Sequence, residues 1–297
     1  MKILRTPDER FLEAEKASFA PHYIEVDGLR IHYFDEGPRD GKPVLLMHGE
    51  PSWAYLYRKM IPVLVAAGHR TLAPDLVGFG RSDKPAQRDD YTYERHVRWM
   101  TRWLETVELQ NVTLVCQDWG SLIGLRVAAE NQDRFARIVL ANGGLPTGSR
   151  KGPMVFRLWQ AFASHSPWFP IGRIMAMGCR RPLSREAVSA YEAPFPNRRY
   201  KAGSRAFPGL VPSRPDDPAA AANRRAWEVF AKWEKPFLTA FSNGDPITRG
   251  MKNVFLKRVP GTVGQPHTVI RGAGHFLQED KGEELAAVVA DFIQATT

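Results

Sequence analysis

The chain has 297 residues, a formal net charge of +9 at pH 7, and 43% hydrophobic and 11% aromatic residues. This length allows one α/β domain with an insertion and an ample apolar core. The sequence has no apolar run of the roughly 18 residues that span a bilayer, and residues 1–8 lack the apolar stretch of a signal peptide. Its two cysteines do not suggest a disulfide framework. We therefore expect a cytoplasmic protein that does not associate with membranes.

Strand-like and helix-like segments alternate along most of the chain, and this alternation predicts an α/β fold. Helices are expected at about 53–67, 94–108, 120–131 and 280–295. Strands that alternate with helices form a largely parallel sheet with helices on both faces. The carboxyl ends of such strands lie at one edge, where we look for a site.

The first candidate feature follows the predicted third strand, Pro43–Met47, and reads His48-Gly-Glu-Pro. A glycine-containing turn at this point can present a backbone N–H to an oxyanion. The N–H of Glu50 is the candidate, because Pro51 has none. An ordinary βα loop is the alternative interpretation.

The most informative segment is Val112–Gly124, which predicts a buried strand, a sharp turn and a helix. In this layout the residue at the turn, Asp118, would be exposed above the sheet as a nucleophile, and the N–H of Trp119 would complete an oxyanion hole. Gly120 would relieve crowding, although Cys116 occupies a position where glycine is usual. An aspartate nucleophile can displace a leaving group from an sp³ carbon and form an ester. Alternatively, Asp118 only caps the helix.

The alternation breaks between residues 146 and 234, a stretch rich in proline, arginine and aromatic residues. We predict a helical cap over residues 146–234, inserted into a core domain formed by residues 1–145 and 235–297. The cap segment holds 15 Lys and Arg against 6 Asp and Glu, and the rest of the chain holds 26 of each, so this segment carries the whole charge excess. A solvated basic face is the simplest explanation of this excess. Another is a positive field that attracts an anionic leaving group, such as a halide, to the site. Nucleic-acid binding is not expected, because the arginines are scattered and no recognised motif is present.

Two later strands end in the remaining candidates. The seventh strand runs into Asp245, and the last strand is followed by His275, just before the final helix. The chain order Asp118, Asp245, His275 matches nucleophile, acid and base in α/β-hydrolases. The other histidines show no zinc-ligand spacing, so no metal site is expected. They are His22, His32, His69, His96, His165 and His267.

Four motifs together resemble those of haloalkane dehalogenases: HGEPSW at 48–53, QDWGS at 117–121, GDP at 244–246 and GAGHF at 272–276. The resemblance covers the whole predicted core and implies the α/β-hydrolase fold with an eight-stranded sheet. One branch of that family carries its catalytic acid after the sixth strand and another after the seventh. Here the sixth strand ends in the uncharged Asn142, so the chain resembles the branch with an Asp–Asp–His triad.

The resemblance also implies how a leaving halide would be held. Two tryptophan N–H groups bind the ion in this branch, and Trp119 is one by its position. Trp159 is our choice for the other and Trp168 is the alternative, while the later Trp227 and Trp233 are too far along the chain. The implied substrate is a small halogenated aliphatic compound, no cofactor is needed, and the oligomeric state is left open.

Three other functions stay open at this point. An epoxide hydrolase would use Asp118 in the same way but needs tyrosines from the cap, for which Tyr191 and Tyr200 are available. Glu50 argues against an epoxide hydrolase, since the corresponding motif in that family resembles HGFP and not the HGEP found here. A serine esterase fits poorly because Ser121 lies past the turn, and a non-catalytic binding protein is possible because fold does not fix function.

Overall fold

One eight-stranded sheet organises the described residues, 1–15, 19–149 and 152–297, of the computed structural model. The strands are β1 His22–Val26, β2 Leu29–Glu36, β3 Pro43–Met47, β4 Arg70–Pro74, β5 Val112–Asp118, β6 Phe135–Gly143, β7 Phe237–Ser242 and β8 Thr268–Ile270. The order across the sheet is β8-β7-β6-β5-β3-β4-β2-β1. All neighbours are parallel except that β2 runs antiparallel to both β1 and β4. The mostly parallel sheet predicted from the sequence is confirmed.

The central strands are apolar along their whole length because helices cover both faces of the sheet. The residues of β5 are buried from Val112 to Gln117, and those of β3 from Val44 to Met47. Parallel sheets show such continuous apolar runs in place of alternation. Burial therefore leaves the strand ends as the places where polar side chains can face a ligand.

Eleven α-helices are present among the described residues. They are α1 Leu12–Glu15, α2 Ile61–Ala66, α3 Tyr93–Thr106, α4 Trp119–Glu130, α5 Met154–His165, α6 Ile171–Met177, α7 Arg185–Glu192, α8 Ala202–Leu210, α9 Ala220–Phe230, α10 Met251–Arg258 and α11 Leu277–Ala295. Of these, α3, α4 and α11 lie where the sequence predicts a helix. No helix of the described chain is long and apolar enough to cross a membrane.

The prediction of one helix at about 53–67 is wrong. The chain forms a 3₁₀ turn at Ala54–Tyr57 and then the separate helix α2. Pro62 lies in the first turn of α2, where a missing N–H costs nothing. A helix running through Pro62 would press its ring against the carbonyl of Arg58 and lose a backbone hydrogen bond. The break follows from that proline.

The stretch between β6 and β7 contains helices α5 to α9, and we call residues 144–236 the helical insertion. Its chain leaves and re-enters the sheet at neighbouring strands, since β6 and β7 pair directly. The insertion is therefore anchored beside β5, whose carboxyl end carries Asp118.

Candidate active site

Asp118 lies at a sharp turn between β5 and α4, with φ 50° and ψ −128°. A positive φ is uncommon for a residue with a side chain, and such strain is typical of functional positions. Asp118 occupies the position before the first turn of α4, but its side chain makes no capping hydrogen bond. Its Oδ1 instead accepts a hydrogen bond from the backbone N–H of Glu50 at 2.8 Å. The capping interpretation of Asp118 thus fails on geometry.

Two glycines make this turn possible by leaving room for backbone and carboxylate. A Cβ at Gly120 would lie 2.0 Å from the carbonyl oxygen of Met47, and one at Gly49 would lie 2.3 Å from Oδ1 of Asp118. Both distances are far below van der Waals contact. Cys116 is fully buried, with its Sγ 3.9 Å from the carbonyl oxygen of Val139, so this position tolerates a side chain.

The three residues expected to act together are brought together. His275 Nε2 lies 3.4 Å from Oδ2 of Asp118, and its Nδ1 lies 3.0 Å from Oδ2 of Asp245. The Asp245 side chain is only 1% exposed. It also accepts hydrogen bonds from the N–H of Ile247 at 2.8 Å and from the hydroxyl of Thr248. These contacts fix the carboxylate against one edge of the imidazole.

The electrostatics of the site favour a protonated imidazole in the free protein. Burial works to lower the pKa of His275, but the charge of Asp245 and the hydrogen bond to Asp118 outweigh it and raise the pKa to about 10. Burial likewise works to raise the pKa of Asp245, and the nearby His275 and Thr248 bring it below its ordinary value. Both directions are those expected for a buried acid–base pair.

Glu50 contributes more than the backbone N–H that the sequence predicts. Its side chain is buried, and Oε1 has no hydrogen-bond partner among the described residues. Burial and the charge of Asp118 hold the pKa of this carboxyl well above its ordinary value, against smaller opposing effects of His275 and of the indole of Trp159. The sequence analysis did not predict this buried carboxyl beside Asp118.

The tryptophans differ sharply in position. Trp119 is 3% exposed and packs between the rings of Tyr93 and Phe207, with centroids 5.2 and 4.5 Å away. Trp159, on α5, faces the carboxyl of Glu50. Trp168 is 58% exposed. Of the two candidates for the second indole donor, only Trp159 lies against a residue of the site.

Two of the alternative residues, Tyr191 and Ser121, are engaged elsewhere. Tyr191 is fully buried and its hydroxyl donates to the carboxylate of Glu279, which also binds Arg58. The hydroxyl of Ser121 donates to the carbonyl oxygens of Asp118 at 2.6 Å and of Gly144 at 3.2 Å, and is buried. Neither hydroxyl is available as the acid or nucleophile that the other functions require.

Two amides hold the loop that carries His275 from the side of the sheet. Asn142, at the end of β6, donates to the carbonyl oxygens of Gly274 and His275 at 2.9 and 3.0 Å. Gln117 donates to the carbonyl oxygen of His275 at 3.2 Å. Asn142 thus holds the loop of His275 against the end of β6. These contacts could not be predicted from the sequence, because they join residues far apart in the chain.

Comparisons with known proteins agree on one family. The family model for the alpha/beta hydrolase fold matches residues 42–282. A haloalkane dehalogenase of Psychrobacter cryohalolentis is 57% identical over 99% of this chain and 98% of its own. Haloalkane dehalogenase 1 of Mycobacterium bovis is 54% identical over the full length of both chains. The solved tetrameric structure of haloalkane dehalogenase DpaA from Paraglaciecola agarilytica is 36% identical, with a TM-score of 0.90 over 100% of this chain and 99% of its own.

Proposed function

Because this chain belongs to the haloalkane dehalogenases of the alpha/beta hydrolase fold, we propose that it converts small halogenated aliphatic compounds to an alcohol, a halide ion and a proton through an ester on Asp118. The observation that carries the mechanism is the placement of Asp118. Its carboxylate lies free of the helix it precedes, between the N–H of Glu50 and the imidazole of His275.

In the first half-reaction an oxygen of the Asp118 carboxylate attacks the carbon that bears the halogen. The new carbon–oxygen bond forms as the carbon–halogen bond breaks, and the halide leaves with the bonding electron pair. The indole N–H groups of Trp119 and Trp159 bind the departing ion. Indole suits this task, because its nitrogen donates a hydrogen bond and has no lone pair to compete for the carbon.

In the second half-reaction His275 removes a proton from water, and the oxygen attacks the carboxyl carbon of the ester. Asp245 holds the imidazole in place and stabilises its charged form, as in other triads. The oxyanion that develops is stabilised by the backbone N–H groups of Glu50 and Trp119. Collapse of this intermediate breaks the bond to the alkyl oxygen, which takes up the remaining proton of the attacking water and leaves as the alcohol. The carboxylate of Asp118 is regenerated, and His275 releases the proton it took to solvent.

We further propose that residues 146–234 act as the cap domain and residues 1–145 and 235–297 as the core. Trp159 supports this division, because it reaches the site from α5 within the helical insertion. Epoxide hydrolysis has less support, since the hydroxyl of Tyr191 is bonded to Glu279.

Two substrates test the proposal side by side. Purified protein incubated with 1,2-dibromoethane should release bromide stoichiometrically with alcohol, and styrene oxide should give no diol. Diol formation without bromide release would replace the proposal by epoxide hydrolysis. Absence of both reactions would favour a binding protein.

A further inference from the structure

A segment of the helical insertion contacts the loop that carries the base. The carbonyl oxygen of Gly178 accepts hydrogen bonds from the N–H groups of His275 at 2.7 Å and Phe276 at 3.3 Å. We call Gly178–Arg181 the cap strap. The carbonyl oxygen of His275 is therefore held by the side-chain amides of Asn142 and Gln117, and its N–H is held by this strap.

The carboxylate of Asp280 ties the cap strap and the base loop together. Its Oδ1 accepts from the N–H groups of Arg180 at 3.0 Å and Arg181 at 2.8 Å. Its Oδ2 accepts from the N–H groups of Arg180 at 2.9 Å and Gly274 at 2.8 Å. Asp280 is 4% exposed. An acid in the first turn of a helix usually stabilises the N-terminus of that helix. The hydrogen-bond partners of Asp280 instead all lie outside α11.

The cap strap packs closely against the loops that carry Asp245 and His275. A Cβ at Gly274 would lie 2.4 Å from the carbonyl oxygen of Gly178. A Cβ at Gly244, next to the catalytic acid, would lie 2.5 Å from both the carbonyl oxygen of Ala273 and Nε of Arg180. The strap thus packs against both loops, and its position limits where the imidazole can lie.

We propose that Asp280 is a positioning residue for the base, through which docking of the helical insertion sets the rate of ester hydrolysis. This inference rests on the proposed function, and it assigns to the strap a part in the second half-reaction only. The nucleophile is held separately, by the turn at Asp118 and the N–H of Glu50. Loosening the strap should therefore leave alkylation intact.

The substitution Asp280→Asn tests this with little change in shape. An amide offers one acceptor and one donor group. In either orientation of the asparagine side chain, its NH₂ faces the N–H of Arg181 or of Gly274, so one of these two hydrogen bonds is lost. A displaced base loses up to about 100-fold in rate when it moves on the order of 1 Å. We expect hydrolysis of the alkyl-enzyme to slow about 10-fold to 100-fold.

One rapid-quench experiment with 1-bromobutane gives the rate constants of alkylation and of ester hydrolysis. Intact-protein mass follows the rise of the alkyl-enzyme, which reports alkylation, and its decay, which reports hydrolysis. The expected result is an unchanged rise and a slower decay. A matched control is Asp217→Asn, because Asp217 also accepts backbone N–H groups within the helical insertion, from Ser213 and Arg214, but does not contact the base loop. Its rise and decay should equal those of the unmodified protein.

Equal slowing of both phases in Asp280→Asn, or unchanged decay, would overturn the inference and leave the proposed function standing. The same slow decay in the Asp217 control would also overturn it. If the unmodified protein and its His275→Phe variant form no alkyl-enzyme and release no bromide, the proposed function fails, and this inference fails with it. Should Asp280→Asn not fold, Asp280→Glu keeps the charge while displacing it. This variant should slow the decay to a smaller degree, and normal decay would count against the inference.

Discussion

Ester formation in the first half-reaction should weaken the hold of His275 on its proton. In the free protein two carboxylates face the imidazole, and its pKa is raised to about 10. Ester formation removes the charge of Asp118, so the pKa of His275 should fall when a base is needed. The substitution Asp118→Asn removes the same charge permanently and should lower that pKa in the same way.

The size of the effect follows from the 3.4 Å between Nε2 of His275 and Oδ2 of Asp118. Opposite charges at this distance attract by about 5 kcal/mol at an effective dielectric constant near 20 and by about 1.2 kcal/mol in bulk water. One pKa unit corresponds to about 1.36 kcal/mol. The pKa of His275 should therefore fall by about 1 to 3.5 units in Asp118→Asn.

An NMR titration of ¹³C-labelled histidine in both proteins measures this shift directly. His267 is an internal control, because its ring bonds to Thr239 and to the carbonyl oxygen of Thr262 and not to the site. Its pKa should not change. An unchanged or higher pKa for His275 in the variant would refute the reasoning, since it would mean that Asp118 does not hold the proton on the base.

Three further changes probe Asp245, the proposed halide site and the buried carboxyl of Glu50. Asp245→Asn should lose roughly 10⁴ in turnover and accumulate alkyl-enzyme by mass spectrometry, whereas near-normal turnover would place the acid elsewhere. Trp159→Phe should weaken saturable fluorescence quenching by bromide or iodide, by about 1–3 kcal/mol in binding, and Trp168→Phe should not; the reverse result would assign the second donor to Trp168. The raised pKa of Glu50 means that its contribution to the free energy of unfolding is fully present below the ordinary pKa of about 4.3 and is lost as pH rises from there toward the folded value. Glu50→Gln should therefore gain thermal stability relative to the unmodified protein as pH rises above about 4.3, and a pH-independent difference in Tm would contradict a raised pKa for Glu50.

The sheet and the placement of the three chain-distant residues were predictable because each follows a strand. Carboxyl ends of parallel strands meet at one edge, so strand order alone places Asp118, Asp245 and His275 near one another. Local pattern also predicted α3 and α4 to within two residues. Pro62 argues against one continuous helix over residues 53–67, because a proline in a helix interior clashes with the preceding turn and lacks an N–H.

Other features could not be read from the sequence because they depend on which distant backbones meet. Asp280 looks like an ordinary acid in the first turn of α11, and only the fold brings the N–H groups of the cap strap to it. Asn142 looked significant only as the absence of an acid, although it holds the loop of His275. The raised pKa of Glu50 likewise depends on its burial and on the charge of Asp118, which no local pattern reveals.

The covalent step on Asp118 is the centre of the account, and His275→Phe tests it most directly. This variant keeps the nucleophile and the halide site but lacks the base for ester hydrolysis. After incubation with 1-bromobutane, intact-protein mass should show one stable butyl group, and digestion should place it on the peptide that contains Asp118. An unmodified variant, an adduct on another peptide, or normal turnover would contradict the account.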